Sequence, residues 1–265
     1  MSNFEPPAAP PPPPPPGPPD PPDQPPSWGP PGDAAPWDVG QAVGYGWAKF
    51  QRNMGQMILA ALAIFAAIVV FSLLYVLAII PASSGDGCSL NYTTGDVDCD
   101  DGWPFLVTFG IVALLGVVFF VFAQVIGAGL IREALGVTEG RAFTTAGVFK
   151  FENIGNVVVT SLLVGAGTLV GYVLCVIPGI AFAFLSMYSL FFVVDKKLGP
   201  VDAIKASIEL VRNNLGPALI WYLVAIVIVF VGELLCFVGL LAAIPVALVG
   251  TAYTYKKLSG QTVAP

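Results

Sequence analysis

Few side chains in this sequence have the chemistry that catalysis or metal binding needs. The chain has 265 residues and no His, which excludes His-dependent metal sites and the Ser–His or Cys–His pairs of nucleophilic catalysis. The segments between its apolar stretches are too short to form a separate catalytic domain. We therefore expect no catalytic residue, no metal site, no cofactor and no enzymatic activity.

Two Cys in an acidic loop are the first candidates for covalent chemistry. Cys88 and Cys99 flank a segment that is predicted to face an oxidising compartment, which favours a disulfide between them over two free thiols. The spacing of Asp96, Asp98 and Asp100 is similar to that of a calcium loop. The Gly and the distal Glu of that motif are missing, so solvated carboxylates are the preferred interpretation.

Glu233 is the single ionisable residue within a predicted membrane span, and such residues are candidates for function. It lies about 24 Å along its helix, counted from Pro217 at 1.5 Å per residue, and so close to the outer interface. Two interpretations stay open: a side chain that reaches interfacial water, or an ion or proton site. Cys175 and Cys236, near the outer ends of two spans, are either small apolar residues or a redox pair.

The composition is that of a protein with several membrane spans. Hydrophobic residues make up 56% of the chain and charged residues 11%, well below the charged share of a soluble domain. Two long apolar stretches exceed one span, and Pro178–Gly179 and residues 237–239 are the predicted turns inside them. We predict an all-α membrane protein with six transmembrane helices, at residues 56–80, 103–131, 156–177, 180–194, 217–237 and 240–255.

The placement of charge supports this count and gives an orientation. The loop 81–102 holds five Asp and no base, whereas with six spans all eleven Lys and Arg lie on the other side. Such a bias predicts a multi-pass protein of the plasma membrane with both termini in the cytoplasm and an extracytoplasmic acidic loop. The basic residues are Lys49, Arg52, Arg132, Arg141, Lys150, Lys196, Lys197, Lys205, Arg212, Lys256 and Lys257.

The first 36 residues differ from the rest of the chain. They contain 18 of its 25 Pro, four acids and no base. Because Pro fixes φ and lacks an amide donor, residues 1–36 are predicted to form a disordered, extended tail. The tail is either a solvated spacer or a docking ligand for a Pro-binding partner. The membrane domain then covers residues 37–260, with 261–265 as a short cytoplasmic tail.

Weak internal similarity divides the membrane domain into three hairpin units. Asn153–Gly155 and Asn214–Gly216 precede the third and fifth spans at an offset of 61 residues, and Asn53–Gly55 precedes the first. Basic residues follow at the same offset, at Lys196 and Lys257. Gly167 and Gly171 form a small-residue face that predicts close helix packing.

Amphipathic segments precede these units. Pro200 suits the first position of a helix in which Val201, Ile204, Ile208 and Val211 share one face. That face either lies on the inner leaflet or packs against the cytoplasmic end of the bundle. Asp38 is the predicted cap of a similar helix, and Thr144–Phe151 is a poorer third example.

Three motifs resemble a known pattern. They are Ile177-Pro178-Gly179-Ile180, Val193-Val194-Asp195, and the helix from Gly199 that contains Ala203 and Ser207 in an Ala-x-x-x-Ser arrangement. Over residues 153–260 the chain resembles bacterial families related to the membrane domain of glycerophosphoryl diester phosphodiesterases, and its Pro-rich tail resembles actinobacterial relatives. The resemblance implies a six-helix membrane fold in families that are mostly of unknown function. It transfers no catalytic residue, because the sequence lacks the catalytic domain of some relatives.

These features favour a non-catalytic function. We expect an accessory, scaffold or assembly component of a larger membrane complex of the cell envelope, with the Pro-rich tail as its docking segment. Expected partners are membrane lipids and a membrane or cytoplasmic protein, with no nucleic acid. The alternative is a protein that binds or transports a lipid or an apolar solute.

Overall fold

The computed structural model describes residues 37–83, 88–90, 92–99, 105–150, 152–235 and 238–265. The tail at 1–36 and Cys236 therefore lie outside the described residues. Helices dominate the described part, with one short antiparallel hairpin. The helices are α1 (Val39–Ser83), α2 (Phe105–Thr138), α3 (Thr145–Val148), α4 (Ile154–Leu174), α5 (Val176–Leu185), α6 (Ser189–Asp195), α7 (Pro200–Asn213), α8 (Leu215–Leu234) and α9 (Leu240–Leu258), and the strands are β1 (Cys88–Leu90) and β2 (Val97–Cys99).

Helix α1 joins the first amphipathic segment to the first span. Asp38 caps it as predicted, since its Oδ1 accepts a hydrogen bond of 2.8 Å from the amide of Gln41. The helix kinks at Asn53, whose φ of −116° and ψ of 16° are not helical. The Asn53 side chain donates to the Lys49 carbonyl and accepts from the Phe143 amide, so the kink is fixed against the loop after α2.

Five helices in the described part of the chain are long and apolar enough to cross a membrane, at Val39–Leu77, Phe109–Thr138, Ile154–Leu174, Val176–Asp195 and Leu215–Leu234. Many of their large side chains point outward, such as Phe65, Leu114 and Leu162. Exposure of such an apolar surface to water is unfavourable, whereas its contact with lipid tails is not. The predicted sixth span corresponds to α9, which is less apolar because its second half carries Thr, Tyr and two Lys.

The hairpin of α4 and α5 turns three residues earlier than predicted. The reversal lies at Cys175, which is extended with a φ of −173°, and not at Pro178–Gly179. Pro178 is the third residue of α5, where a missing amide leaves no helical bond unmade. The predicted close packing of the Gly face is confirmed, since a Cβ on Gly171 would lie 2.6 Å from the Cα of Gly179.

The fourth span is interrupted between α5 and α6. Residues 186–188 form a turn there, and a side chain from α7 fills the gap in the backbone bonding. The buried Ser207 hydroxyl accepts from the Tyr188 amide at 3.0 Å and donates to the Leu185 carbonyl at 2.8 Å. One hydroxyl thus satisfies a donor and an acceptor that the broken helix leaves open.

Replacing Ser207 with Ala is expected to lower the free energy of unfolding by about 1–3 kcal/mol, because two buried backbone groups lose their partner. The apparent Tm of the purified protein in mild detergent measures the effect. Ser186→Ala is the matched control, since the Ser186 hydroxyl bonds to the Phe182 carbonyl, which already accepts from the Ser186 amide. Equal Tm values for the two variants would contradict this role of Ser207.

Helix α9 lies at the centre of the packing and contacts α1, α2 and α8. Its approach to α1 depends on Gly46, where a Cβ would clash with the carbonyl of Val246. Its approach to α8 depends on Gly250, against which the fully buried ring of Trp221 lies. The Trp221 indole donates to Thr251 Oγ1 at 3.0 Å, so α9 contacts both the six-membered ring and the nitrogen of the indole.

The short hairpin lies in the acidic loop. Strands β1 and β2 pair in antiparallel register, with Cys88 opposite Cys99 and Leu90 opposite Val97. Directly opposed residues of such a pair have Cα atoms roughly 4.5–5.5 Å apart, a separation that a disulfide can span. The Cys88–Cys99 bridge stays a prediction, and this backbone register supports it.

Candidate functional site

An ion network around the buried side chain of Lys256 closes one end of the helix bundle. The Lys256 Nζ, in a side chain that is 5% exposed, donates to Asp195 Oδ1 at 2.8 Å and to Glu139 Oε1 at 3.0 Å. Asp195 ends α6, Glu139 follows α2, and Lys256 lies in the last turn of α9. All three elements terminate here. We refer to this end, marked by Glu139, Asp195 and Lys256, as the basic end of the bundle.

Further hydrogen bonds complete the network. Asp195 Oδ2 accepts from the Tyr255 hydroxyl at 3.0 Å and from the Gln261 side chain at 3.1 Å. Gln261 Oε1 in turn accepts from Lys256 at 2.8 Å, which ties the segment after α9 to the same ions. Burial alone would raise the pKa of Glu139, but hydrogen bonds from Lys256 and Arg141 outweigh it and lower that pKa. Glu139 is thus ionised at neutral pH, and each of its two carboxylate oxygens accepts a hydrogen bond.

Both ends of the membrane domain meet at the basic end. The Trp37 indole, directly after the Pro-rich segment, donates to Thr254 Oγ1 of α9 at 3.1 Å. The Tyr45 hydroxyl donates to the Ala264 carbonyl at 3.0 Å, and its ring lies 4.8 Å from the ring of Tyr253. The point from which residues 1–36 extend is therefore fixed to the most buried helix.

A cleft with basic walls opens at the cytoplasmic ends predicted for α2, α4 and α6. Arg132, Lys150 and Lys197 line it, together with Glu152 and an apolar floor of Val125, Val157 and Val193. Arg132 donates to the carbonyls of Gly147 and Lys150, the latter at 2.7 Å. We refer to this feature as the basic cleft.

The loop beside the basic cleft is held in place on both flanks. Glu133 Oε2 accepts from the amide and the hydroxyl of Thr144, at 2.9 and 3.0 Å. Thr145 bonds to the side chain and carbonyl of Gln56. Gly129 of α2 faces the Val148 carbonyl so closely that a Cβ would clash. The third amphipathic segment therefore forms only a single helical turn, α3, that packs against α2.

The residues predicted as functional from the sequence belong neither to the ion network of the basic end nor to the lining of the basic cleft. Glu233 is exposed in the last turn of α8, and Cys175 is an exposed free thiol between α4 and α5. No group of three or more possible metal ligands occurs among the residues that the structure describes. The interfacial stripe on α7 is divided: Val201 is exposed, Ile204 and Ile208 are half-buried and Val211 is buried.

The side of α7 that packs on the bundle is formed largely by small residues. Ala203, Ala206 and Ser207 are buried with Leu210, and α7 contacts α4, α5 and α6. Small side chains let helix backbones approach closely, which larger Val and Ile residues would prevent. Ile204 and Ile208 are only partly covered by this contact, and the interfacial position of α7 stays a prediction.

These observations define the class of the protein. Its described part is a bundle of apolar helices, five of them able to cross a membrane, so it is a helical membrane protein. The chain is 36% identical over 234 residues to uncharacterized protein Rv2560 of Mycobacterium tuberculosis, a match covering 85% of this chain and 70% of the relative. Uncharacterized protein Mb2590 of Mycobacterium bovis matches to the same extent. The chain therefore belongs to the same family as these mycobacterial proteins.

The relatives confirm the actinobacterial part of the sequence resemblance. No protein-family model matches the chain. No solved structure matches it either. The resemblance to the membrane domain of glycerophosphoryl diester phosphodiesterases has no support among these matches and stays a prediction.

Proposed function

We propose that the protein is a non-catalytic scaffold or accessory subunit of a larger membrane complex of the cell envelope. It recruits or holds that complex through its Pro-rich tail. The observation that carries the proposal is the anchoring of Trp37 to α9, because it fixes where the tail leaves the membrane domain. A docking segment gains affinity when its base is held near the partner's position. The ion network at the same end of the bundle supports a fixed position for that base.

The arrangement of the chain ends supports six spans and a cytoplasmic tail. Residues 37–45 hydrogen-bond to residues 254–264, so the chain returns to the end where it started. An even number of crossings follows if α9 crosses as the sixth span. The basic residues at this end then favour the cytoplasm under the positive-inside rule, and the acidic hairpin faces outward.

The repeat of hairpin units also receives support. Gly171 and Gly232, 61 residues apart in the sequence, each occupy a point of close approach within their hairpin. A Cβ on Gly232 would lie 2.6 Å from the Ala243 Cβ, as one on Gly171 would clash with Gly179. Close approach at equivalent positions is expected if α8 and α9 repeat the hairpin of α4 and α5.

Affinity purification in mild detergent tests the scaffold function. We expect a stoichiometric protein partner to co-purify with the full chain and to be lost when residues 1–36 are deleted. A matched control keeps the tail length but replaces its Pro residues with Ser, which removes the residues on which the predicted polyproline II conformation depends. Loss of the partner in both variants would establish recognition of that structure, and retention in the deletion variant would refute a docking tail.

The alternative function, binding or transport of a lipid or an apolar solute, is favoured by the basic cleft. Its apolar floor and charged rim lie among helices that are long enough to span the membrane. This alternative predicts a defined lipid that co-purifies with the full chain and equally with the variant lacking residues 1–36. It also predicts that the tail can be removed without loss of activity.

A further inference from the structure

We propose that the basic cleft binds the phosphate group of an anionic phospholipid from the inner leaflet of the membrane. The inference rests on the lipid-binding alternative and is independent of the scaffold function. It names a ligand class and three binding residues: Arg132, Lys150 and Lys197. The same cations could bind free phosphate, and the apolar floor is the reason to assign a lipid.

Charge in the cleft favours an anion. Three cations and one carboxylate, Glu152, line it, which leaves an excess of two positive charges. The Arg132 Nη1 lies 3.9 Å from Glu152 Oε1, and the Glu152 side chain is 67% exposed, so this pair is long and open to solvent. Exposed pairs of this kind contribute little energy and can be exchanged for a stronger anion. A phosphate is such an anion, because it accepts several hydrogen bonds from an Arg and nearby Lys.

The cations are positioned before any ligand arrives. Bonds from Arg132 to the Gly147 and Lys150 carbonyls hold its guanidinium at the cleft and fix the backbone that carries the Lys150 side chain. Lys197 lies two residues after the end of α6 in a left-handed conformation, with a φ of 54°, and also lines the cleft. Helix α4 also begins here, at Asn153 and Ile154, and the partial positive charge of its N-terminus adds to that of the side chains.

The level of the cleft along the helices matches the position of a lipid headgroup. It lies where α4 begins and α6 ends, which is the headgroup level of helices that cross a membrane. Below the cations the floor is apolar, with Val125 on α2, Val157 on α4 and Val193 on α6. Ile154, 40% exposed, extends this apolar surface towards the lipid. A phosphate on an acyl chain satisfies both parts of the cleft, whereas a free phosphate satisfies only the rim. Basic pockets between spanning helices on the cytoplasmic side commonly bind such headgroups.

Lipid selectivity of the purified full chain tests the proposal. The probes are spin-labelled phosphatidylglycerol and phosphatidylcholine in nanodiscs of phosphatidylcholine, and the readout is the relative association constant at the protein. We expect a preference for phosphatidylglycerol that falls roughly tenfold in the Lys150→Gln/Lys197→Gln variant. Glu152→Gln should increase the preference, because it removes the competing carboxylate. Lys205→Gln/Arg212→Gln loses the same charge on α7 and should leave the preference unchanged.

Each other outcome overturns a distinct claim. An equal fall in both double variants would show that net charge, and not the cleft, attracts the lipid. Displacement of the labelled lipid by millimolar inorganic phosphate would identify a site for soluble phosphate. A preference that neither double variant changes would refute the cleft but keep lipid binding. No preference in the unaltered protein would refute both and leave the scaffold function standing. Arg132 is not substituted, because it also holds the loop beside α3.

Discussion

Replacement of Lys256 with Met is expected to lower the free energy of unfolding by about 2–4 kcal/mol, because the Asp195 carboxylate loses its shortest ion pair and keeps only the longer one to Lys196, at 3.5 Å. The Asp195 side chain is only 9% exposed and faces Lys256 at 2.8 Å. Met has a similar length, so the loss is mainly electrostatic. Fluorescence-detected size-exclusion chromatography after heating measures the fraction that stays folded, and this variant should lose its monodisperse peak at a much lower temperature.

Two controls separate the network from the loss of any Lys at this end. Lys257→Met removes the next residue, which is half-buried and contacts the face of Tyr253, and should cost less than about 1 kcal/mol. Asp195→Asn combined with Lys256→Met should be more stable than the sum of its single changes, because no uncompensated charge is buried between them. Equal losses for Lys256→Met and Lys257→Met would contradict the structural role of the network.

Replacement of Trp221 with Ala is expected to cost about 3–5 kcal/mol, the usual loss when a large buried ring is removed. Trp221 is fully buried between α8 and α9, and Gly250 provides the space for its ring. Its removal opens a cavity at the contact on which the central helix depends and also deletes the bond to Thr251. Unfolding by SDS titration, followed by circular dichroism, should show an earlier midpoint.

Trp47→Ala provides the control within the same residue type. Trp47 is 48% exposed on α1, and its ring centroid lies 5.8 Å from that of Phe50 in a tilted arrangement. Its loss leaves no enclosed cavity, so the free energy of unfolding should fall by less than about 1 kcal/mol and the midpoint should hardly change. If Trp47→Ala were as damaging as Trp221→Ala, cavity formation at α8 and α9 would not be the cause.

Features that depend on neighbours in the sequence could be predicted from the sequence. The apolar stretches, the cap at Asp38, the helix start at Pro200 and the Gly face at Gly167 and Gly171 all follow from local rules of length, capping and size. The turn at Cys175 was not predicted, because Pro178 is compatible with the first turn of a helix as well as with the turn that precedes a helix.

Features that depend on distant residues could not be predicted. Glu139, Asp195 and Lys256 are each close to the end of a different helix, where hydropathy alone predicts solvated charges. The interruption at residues 186–188 contains neither Gly nor Pro, and only the position of Ser207 on α7 makes it stable. On α7 the large Val and Ile residues suggested one apolar face, but packing against the neighbouring helices favours the small residues beside it. The three cations of the basic cleft were all expected on one side, but their convergence depends on where α2 and α6 end and where α4 begins.

The central place of α9 has a consequence for how the protein is made. Its main partner, α1, ends at Ser83, and α9 begins at Leu240, which is 157 positions later in the chain. At the usual pace of synthesis, α1 spends roughly 10–30 s in the membrane before α9 leaves the ribosome. During that interval Ala42, Gly46 and Phe50, all buried in the finished fold, have no α9 to cover them. The main helix contact of this bundle therefore forms only at the end of synthesis, and the surface of α1 that faces α9 stays uncovered by it until then.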